Sequence, residues 1–194
     1  MAQPFFPNLP FAVTFAAPLA AGLVYAAWTD WKTLVVSKWV SVGLLAGGLI
    51  LNVVRGAWLS AVGGRVWLFD PGTALLGGVD GFAFALVGFL AGFGLFFLLW
   101  IFGVCGGGDV KLVGAVGAWL GPGYVFYAIL LSIPFLVLLV LITLSCRVLG
   151  GKLPSQSSAA PPRHPTPRRQ VTSYALSFAL GAGVVLVFLA AGFV

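Results

Sequence analysis

The sequence predicts an all-α fold, a polytopic bundle of about six transmembrane helices. Three observations carry this expectation. Of 194 residues, 61% are apolar and only 7% charged, whereas a soluble domain keeps about a quarter of its residues charged. The apolar residues come in runs of about 20, the length that crosses a hydrocarbon layer of ~30 Å. The Lys and Arg residues gather between the runs, which explains the net charge of +6 as a device of membrane orientation and not of nucleic-acid binding.

The spans are expected in this order. Phe11–Trp28 and Val36–Val54 form the first two, and a third begins at Leu75 or Phe82 and ends at Phe102. The fourth is short, from Asp109 to Leu120, because Gly121-Pro122-Gly123 breaks the helix there. The fifth runs from Tyr124 to Leu149, with a kink expected at Pro134. The sixth spans Tyr174–Val194. Between the last two, residues 150–172 are rich in Pro, Ser, Ala and Arg without apolar periodicity, the composition of a flexible, solvated loop. Residues 1–194 are thus expected to form a single transmembrane domain. The spacings Gly88-xxx-Gly92 and Gly117-xxx-Gly121 point to close helix packing, and the tryptophans mostly fall near span ends, as an interfacial belt requires.

Six spans place Lys32, Lys38, Lys111, Arg147, Lys152, Arg163, Arg168 and Arg169 on one side, with Arg55 and Arg65 on the other. The richer side should be cytoplasmic. Asp30 and Asp109 then lie at the cytoplasmic ends of their spans, and Asp70 and Asp80 on the opposite face. The latter two precede Pro71-Gly72 and Gly81, so they read as turn or cap residues. No glutamate occurs.

Asp30 stands in Trp28-Thr29-Asp30-Trp31-Lys32, and Asp109 in Cys105-Gly106-Gly107-Gly108-Asp109-Val110-Lys111. Carboxylates bordering a span are costly and usually mark function. Two that share a site can hydrolyse a peptide: one takes a proton from water while the other protonates the carbonyl, since both do not ionise comfortably together. Gly106, Gly107 and Gly108 let a substrate backbone come close and let the chain turn sharply into a helix. Alone, each acid has a plainer reading, Asp109 as a helix cap and Asp30 as a solvated interfacial acid. Lys32 and Lys111, two residues after the acids, do not lie beside them on a helix face and are suited to interfacial anchoring. Cys105 and Cys146 form no CxxC pair, and the mechanism calls for neither metal nor cofactor.

The segment from Gly106 to Gly121 closely resembles the GxGD motif of type IV prepilin peptidases, which continues with Lys-Leu and a small-residue helix. The Asp30 segment resembles that family's other acidic motif, and Tyr174-Ala175-Leu176 with Gly181 resembles its closing helix, with Ser173 where proline is usual. The resemblance implies catalytic Asp30 and Asp109, with Gly106, Gly107, Gly108 and Lys111 on the substrate side. It implies a bacterial inner-membrane endopeptidase, facing the cytoplasm, that removes the leader from prepilin or pseudopilin precursors. The paired cysteines of the larger, methylating members are missing, so the chain looks like the short peptidase-only form associated with tight-adherence (Flp-type) pili. Alternatives are a small ion- or proton-coupled transporter, whose acids would sit nearer the bilayer midplane, or a non-catalytic pilus-assembly protein. A presenilin-type protease fits less well, because Thr29 precedes Asp30 and no Pro-Ala-Leu occurs.

Overall fold

The computed structural model describes residues 5–33, 38–69, 72–148 and 174–191. Its helices are α1 (Leu9–Thr33), α2 (Lys38–Ala61), α3 (Ala74–Ile101), α4 (Gly107–Val148) and α5 (Tyr174–Ala190). No strand occurs among the described residues. α1 to α4 are each long and apolar enough to cross a membrane, and α5 is a shorter apolar helix of 17 residues. The expected loop at 150–172 and Asp70 lie outside the described residues.

The helix ends follow from local chemistry. Asn8 opens α1 by accepting the Phe11 N–H at 2.8 Å, and Thr73 opens α3 by accepting from Leu76 at 3.4 Å, each filling an orphan donor of the first turn. α2 and α3 both close on a left-handed glycine, Gly63 (φ 78°) and Gly103 (φ 69°). After each, two N–H groups reach back to the last turn: Gly64 to Leu59 and Val104 to Leu99 are the longer closures, at 2.7 and 2.9 Å, the pattern of a Schellman cap.

α4 holds 42 residues and as one straight rod would reach about 63 Å. It is broken at Gly121 (φ 79°, ψ 176°), and Pro122, with no N–H to carry the first arm's ladder onward, opens the second arm instead. A Cβ placed on Gly92 of α3 would lie 2.8 Å from the Val113 carbonyl oxygen and 3.2 Å from Val125 Cγ2. Along an unbroken helix those residues would be about 18 Å apart. The two arms, 107–120 and 122–148, therefore fold back beside each other, which is consistent with the separate fourth and fifth spans expected from sequence. Pro134, where a kink was expected, keeps helical dihedrals; the non-helical residue in α4 is Gly121.

The short arm forms the axis of the bundle. Val110, Leu112, Val113, Ala115, Val116, Ala118, Trp119 and Leu120 are all buried, and α2, α3 and α5 pack against α4. The sequence's small-residue spacings mark the closest approach, where Gly88 meets the Gly117 backbone and an added Cβ on either would overlap the other. Because the short arm ends inside the bundle, its last carbonyls lose their helical partners. Asn52 supplies them: its amide donates to the carbonyls of Ala118 and Trp119 at 2.8 and 3.1 Å, and to Gly48 of its own helix.

Three sequence expectations are corrected here. Trp119 is not part of an interfacial belt; it is buried in the core, its indole N–H donating to the Leu44 carbonyl at 2.6 Å. Arg55 is not in an outer loop but is 2% exposed within α2, its guanidinium held between the rings of Phe5 and Phe84 at 4.1 and 4.6 Å. Asp80 is not a turn residue. It lies inside α3, 1% exposed, and its carboxylate accepts the N–H groups of Trp67, Leu68 and Phe69 at 2.9 to 3.3 Å. It ties the α2–α3 connection to the bundle.

Candidate active site

Asp30 occupies the last turn of α1 and Asp109 the first turn of α4, and each is 8% exposed. Asp30 is among the charges acting on the Asp109 carboxyl, so the fold brings the two sequence-expected acids to one end of the bundle. Burial there removes water from both, which strengthens any interaction between them.

The glycine run explains how Asp109 is placed. Gly103 ends α3, and Val104 and Cys105 lead to Gly106, the residue before the helix. The Gly106 N–H donates to Asp109 Oδ2 at 3.1 Å, while the Asp109 N–H donates back to the Gly106 carbonyl at 3.1 Å. Only the second half of a capping box is present, the N3 carboxylate accepting the N–H of the residue before the helix, so the plain reading of Asp109 as a cap and the catalytic reading involve the same oxygen pair. One carboxylate oxygen is fixed by the backbone, which orients the other. Gly106 and Gly107 are exposed and Gly108 half-buried, leaving a strip of bare backbone beside the acid. Lys111 is exposed, and Lys32 lies over the Trp28 ring at 4.5 Å.

Near the site, Ser132 was not singled out in the sequence, and Tyr174 was named there only as part of the resemblance to the family's closing helix. Ser132, on the long arm, donates to the Ile129 carbonyl at 2.6 Å and meets the Tyr174 hydroxyl at 2.9 Å; with its own proton committed, it accepts from Tyr174. Tyr174 opens α5, packs its ring at a tilt against Phe96 with centroids 5.1 Å apart, and is itself within range of the Asp109 charge. A serine inside a long apolar run was the available signal. Cys105, in the α3–α4 connection, donates its thiol to the Phe96 carbonyl at 3.4 Å. Burial, and then the charge of Asp109, pushes that thiol above its ordinary range.

Two buried carboxyls from different helices, with open glycine backbone alongside, are what acid–base hydrolysis of an extended peptide needs. Comparison with known families decides the grouping: the profile of the type IV leader peptidase family matches residues 17–142. The chain belongs to the type IV leader peptidase family. No curated protein and no solved structure matches it. The matched stretch of this type IV leader peptidase contains Asp30, Asp109, the glycine run and both arms' junction at Gly121. Ser132 falls inside it and Tyr174 beyond it.

Proposed function

We propose that this leader peptidase is an aspartic endopeptidase that cuts the leader from prepilin or pseudopilin precursors at the cytoplasmic face of the bacterial inner membrane. The observation that carries the proposal is the pairing of Asp30 and Asp109, buried, on separate helices, and within electrostatic range. One carboxylate removes a proton from water as it attacks the scissile carbonyl, and the other, protonated, donates to the carbonyl oxygen and then the proton load passes to the leaving amine. Asp109, with one oxygen held by the Gly106 N–H, is the orientationally fixed partner. The substrate backbone lies extended along Gly106–Gly108, and Lys32 and Lys111 keep anionic lipid head groups at the interface.

The test is a cleavage assay on a co-expressed prepilin, its new N-terminus read by mass spectrometry. Asp30→Asn and Asp109→Asn, each inserted normally, are expected to lower the rate by at least about 100-fold. Cleavage surviving in either variant removes that carboxylate from the mechanism. The chemistry involves no metal ion, so a chelator is expected to leave the wild-type rate intact; loss of activity on chelation would sink the two-carboxylate scheme.

A further inference from the structure

Trp100 stands in the last turn of α3, 48% exposed, at the end of the bundle that holds the two acids. An indole there fits an interfacial anchor, but its surroundings are more ordered than anchoring requires. Phe89, Phe93, Phe97 and Trp100 recur at helical spacing and so share a face of α3. Their rings form one stacked column, with successive centroids 5.3, 5.7 and 5.6 Å apart and interplanar angles of 25°, 12° and 29°.

The foot of the column is keyed to the short arm of α4. A Cβ on Gly114 would lie 2.9 Å from Phe93 Cβ and 3.1 Å from Phe89 Cε2, so both residues sit directly against bare backbone. The head of the column reaches the start of the same arm, where Trp100 Nε1 is 3.7 Å from the place a Cβ on Gly107 would occupy. That first turn also carries Asp109, whose Oδ2 accepts the Gly106 N–H at 3.1 Å. The indole is thus held beside the glycine strip by contacts made about two turns further along the arm.

An indole N–H donates and never accepts. An extended peptide offers a backbone carbonyl at every residue, and glycines let such a backbone come close. We infer that Trp100 binds the substrate backbone beside the scissile bond, its Nε1–H donating to a peptide carbonyl while its ring walls the strip. This rests on the leader-peptidase reading, which lays the precursor along Gly106–Gly108. The bond goes to a group that does not react, so it holds substrate and transition state alike and belongs in KM, not in kcat.

The experiment follows cleavage of a prepilin by the full chain, both reconstituted in liposomes, with Trp100 replaced in two ways. Trp100→Phe removes the donor and part of the ring. Trp100→benzothienylalanine keeps the bicyclic shape, and with it the packing of the column, and removes only the N–H. Both are expected to raise KM about three- to tenfold, with kcat within about twofold of the wild type. Trp58 is an exposed indole at the opposite end of the bundle, and Trp58→Phe is expected to change neither. A wild-type KM in the benzothienylalanine protein, a fall in kcat alone, or an equal rise in KM from Trp58→Phe overturns the assignment. Binding of the same prepilin is measured separately in an Asp109→Asn background, with and without the indole N–H. Weaker binding on its loss, with no cleavage by the wild type, refutes the peptidase chemistry and keeps the contact; cleavage by the wild type with binding unmoved does the reverse.

Discussion

Cys105 sits in the connection leading to Asp109 and offers a direct probe of that carboxylate. Burial first, and the Asp109 charge second, raise its thiol, and the thiolate is the reactive form. A raised group holds less thiolate near neutrality. In a Cys146→Ser background, alkylation of Cys105 should therefore be slower than that of an ordinary cysteine and should accelerate as the pH rises past the usual thiol range. Asp109→Asn removes the repelling charge, lowers the thiol and should speed the reaction at a fixed pH; equal rates in the two proteins would mean the carboxylate does not act on the thiol. Asp80 makes the opposite point about acids. Sequence position alone suggested a turn residue, but its carboxylate gathers three backbone N–H groups. Asp80→Ala takes the acceptor from those part-buried donors, and a loss of about 1–2 kcal/mol is expected in detergent unfolding. Asp80→Asn, which keeps one acceptor oxygen, should fall between. Span counting separated Asp80 from Asp30 by membrane face, but the local sequence around Asp80 did not show that its carboxylate ties down the α2–α3 connection, because that role depends on the partners it meets in space.

At the scale of the element, the short arm of α4 tests how helices end inside an apolar bundle. Its terminal carbonyls are met by Asn52 from α2, an asparagine in an otherwise apolar run. Asn52→Leu keeps the volume and removes the donors, so about 2 kcal/mol of stability should be lost, with the damage localised by hydrogen exchange to residues 115–120. Gly88→Leu at the α3 crossing should cost about 1–3 kcal/mol through overpacking, read from the same unfolding transition. The break itself was legible, because Pro122 has no N–H to continue the ladder of the preceding helix and Gly121 can take the left-handed turn before it. Trp119 was not legible. Hydropathy separates membrane from water, but within a membrane the interior of a bundle and its lipid-facing surface are equally apolar, so a tryptophan near a span end reads the same whether it anchors the interface or fills the core. Arg55 misled for a related reason: a cation near a span end reads as a loop residue, and only the rings of Phe5 and Phe84 show how α2 holds it inside.

For the whole molecule, the all-helical membrane fold followed from composition, and the placement of two acids at one end followed from span counting before any geometry was known. The stacked column beside the glycine strip did not, because it depends on which face of α3 meets the short arm, and no periodicity in a chain this uniformly apolar encodes that. The proposed orientation has its own check. A green fluorescent protein inserted near residue 160 should fluoresce and alkaline phosphatase at the same position should be inactive; the reverse result would turn the proposed catalytic pair to the other side of the membrane.

The enclosed short arm also sets terms for how the protein is made. Fourteen residues reach only about 21 Å, less than the ~30 Å hydrocarbon layer, and the arm carries Asp109 and Lys111 near one end. To the insertion machinery it is a poor span on its own, so it should enter the bilayer only with the long arm that follows, as a hairpin delivered into a space already walled by α2 and α3. A nascent chain halted just past Gly121 should leave this segment accessible to water-soluble labels, and one extended through residue 148 should protect it. Asp109, the proposed catalytic partner of Asp30, would then be among the later parts of the chain to reach its place, so the two acids should come together only once the hairpin is in.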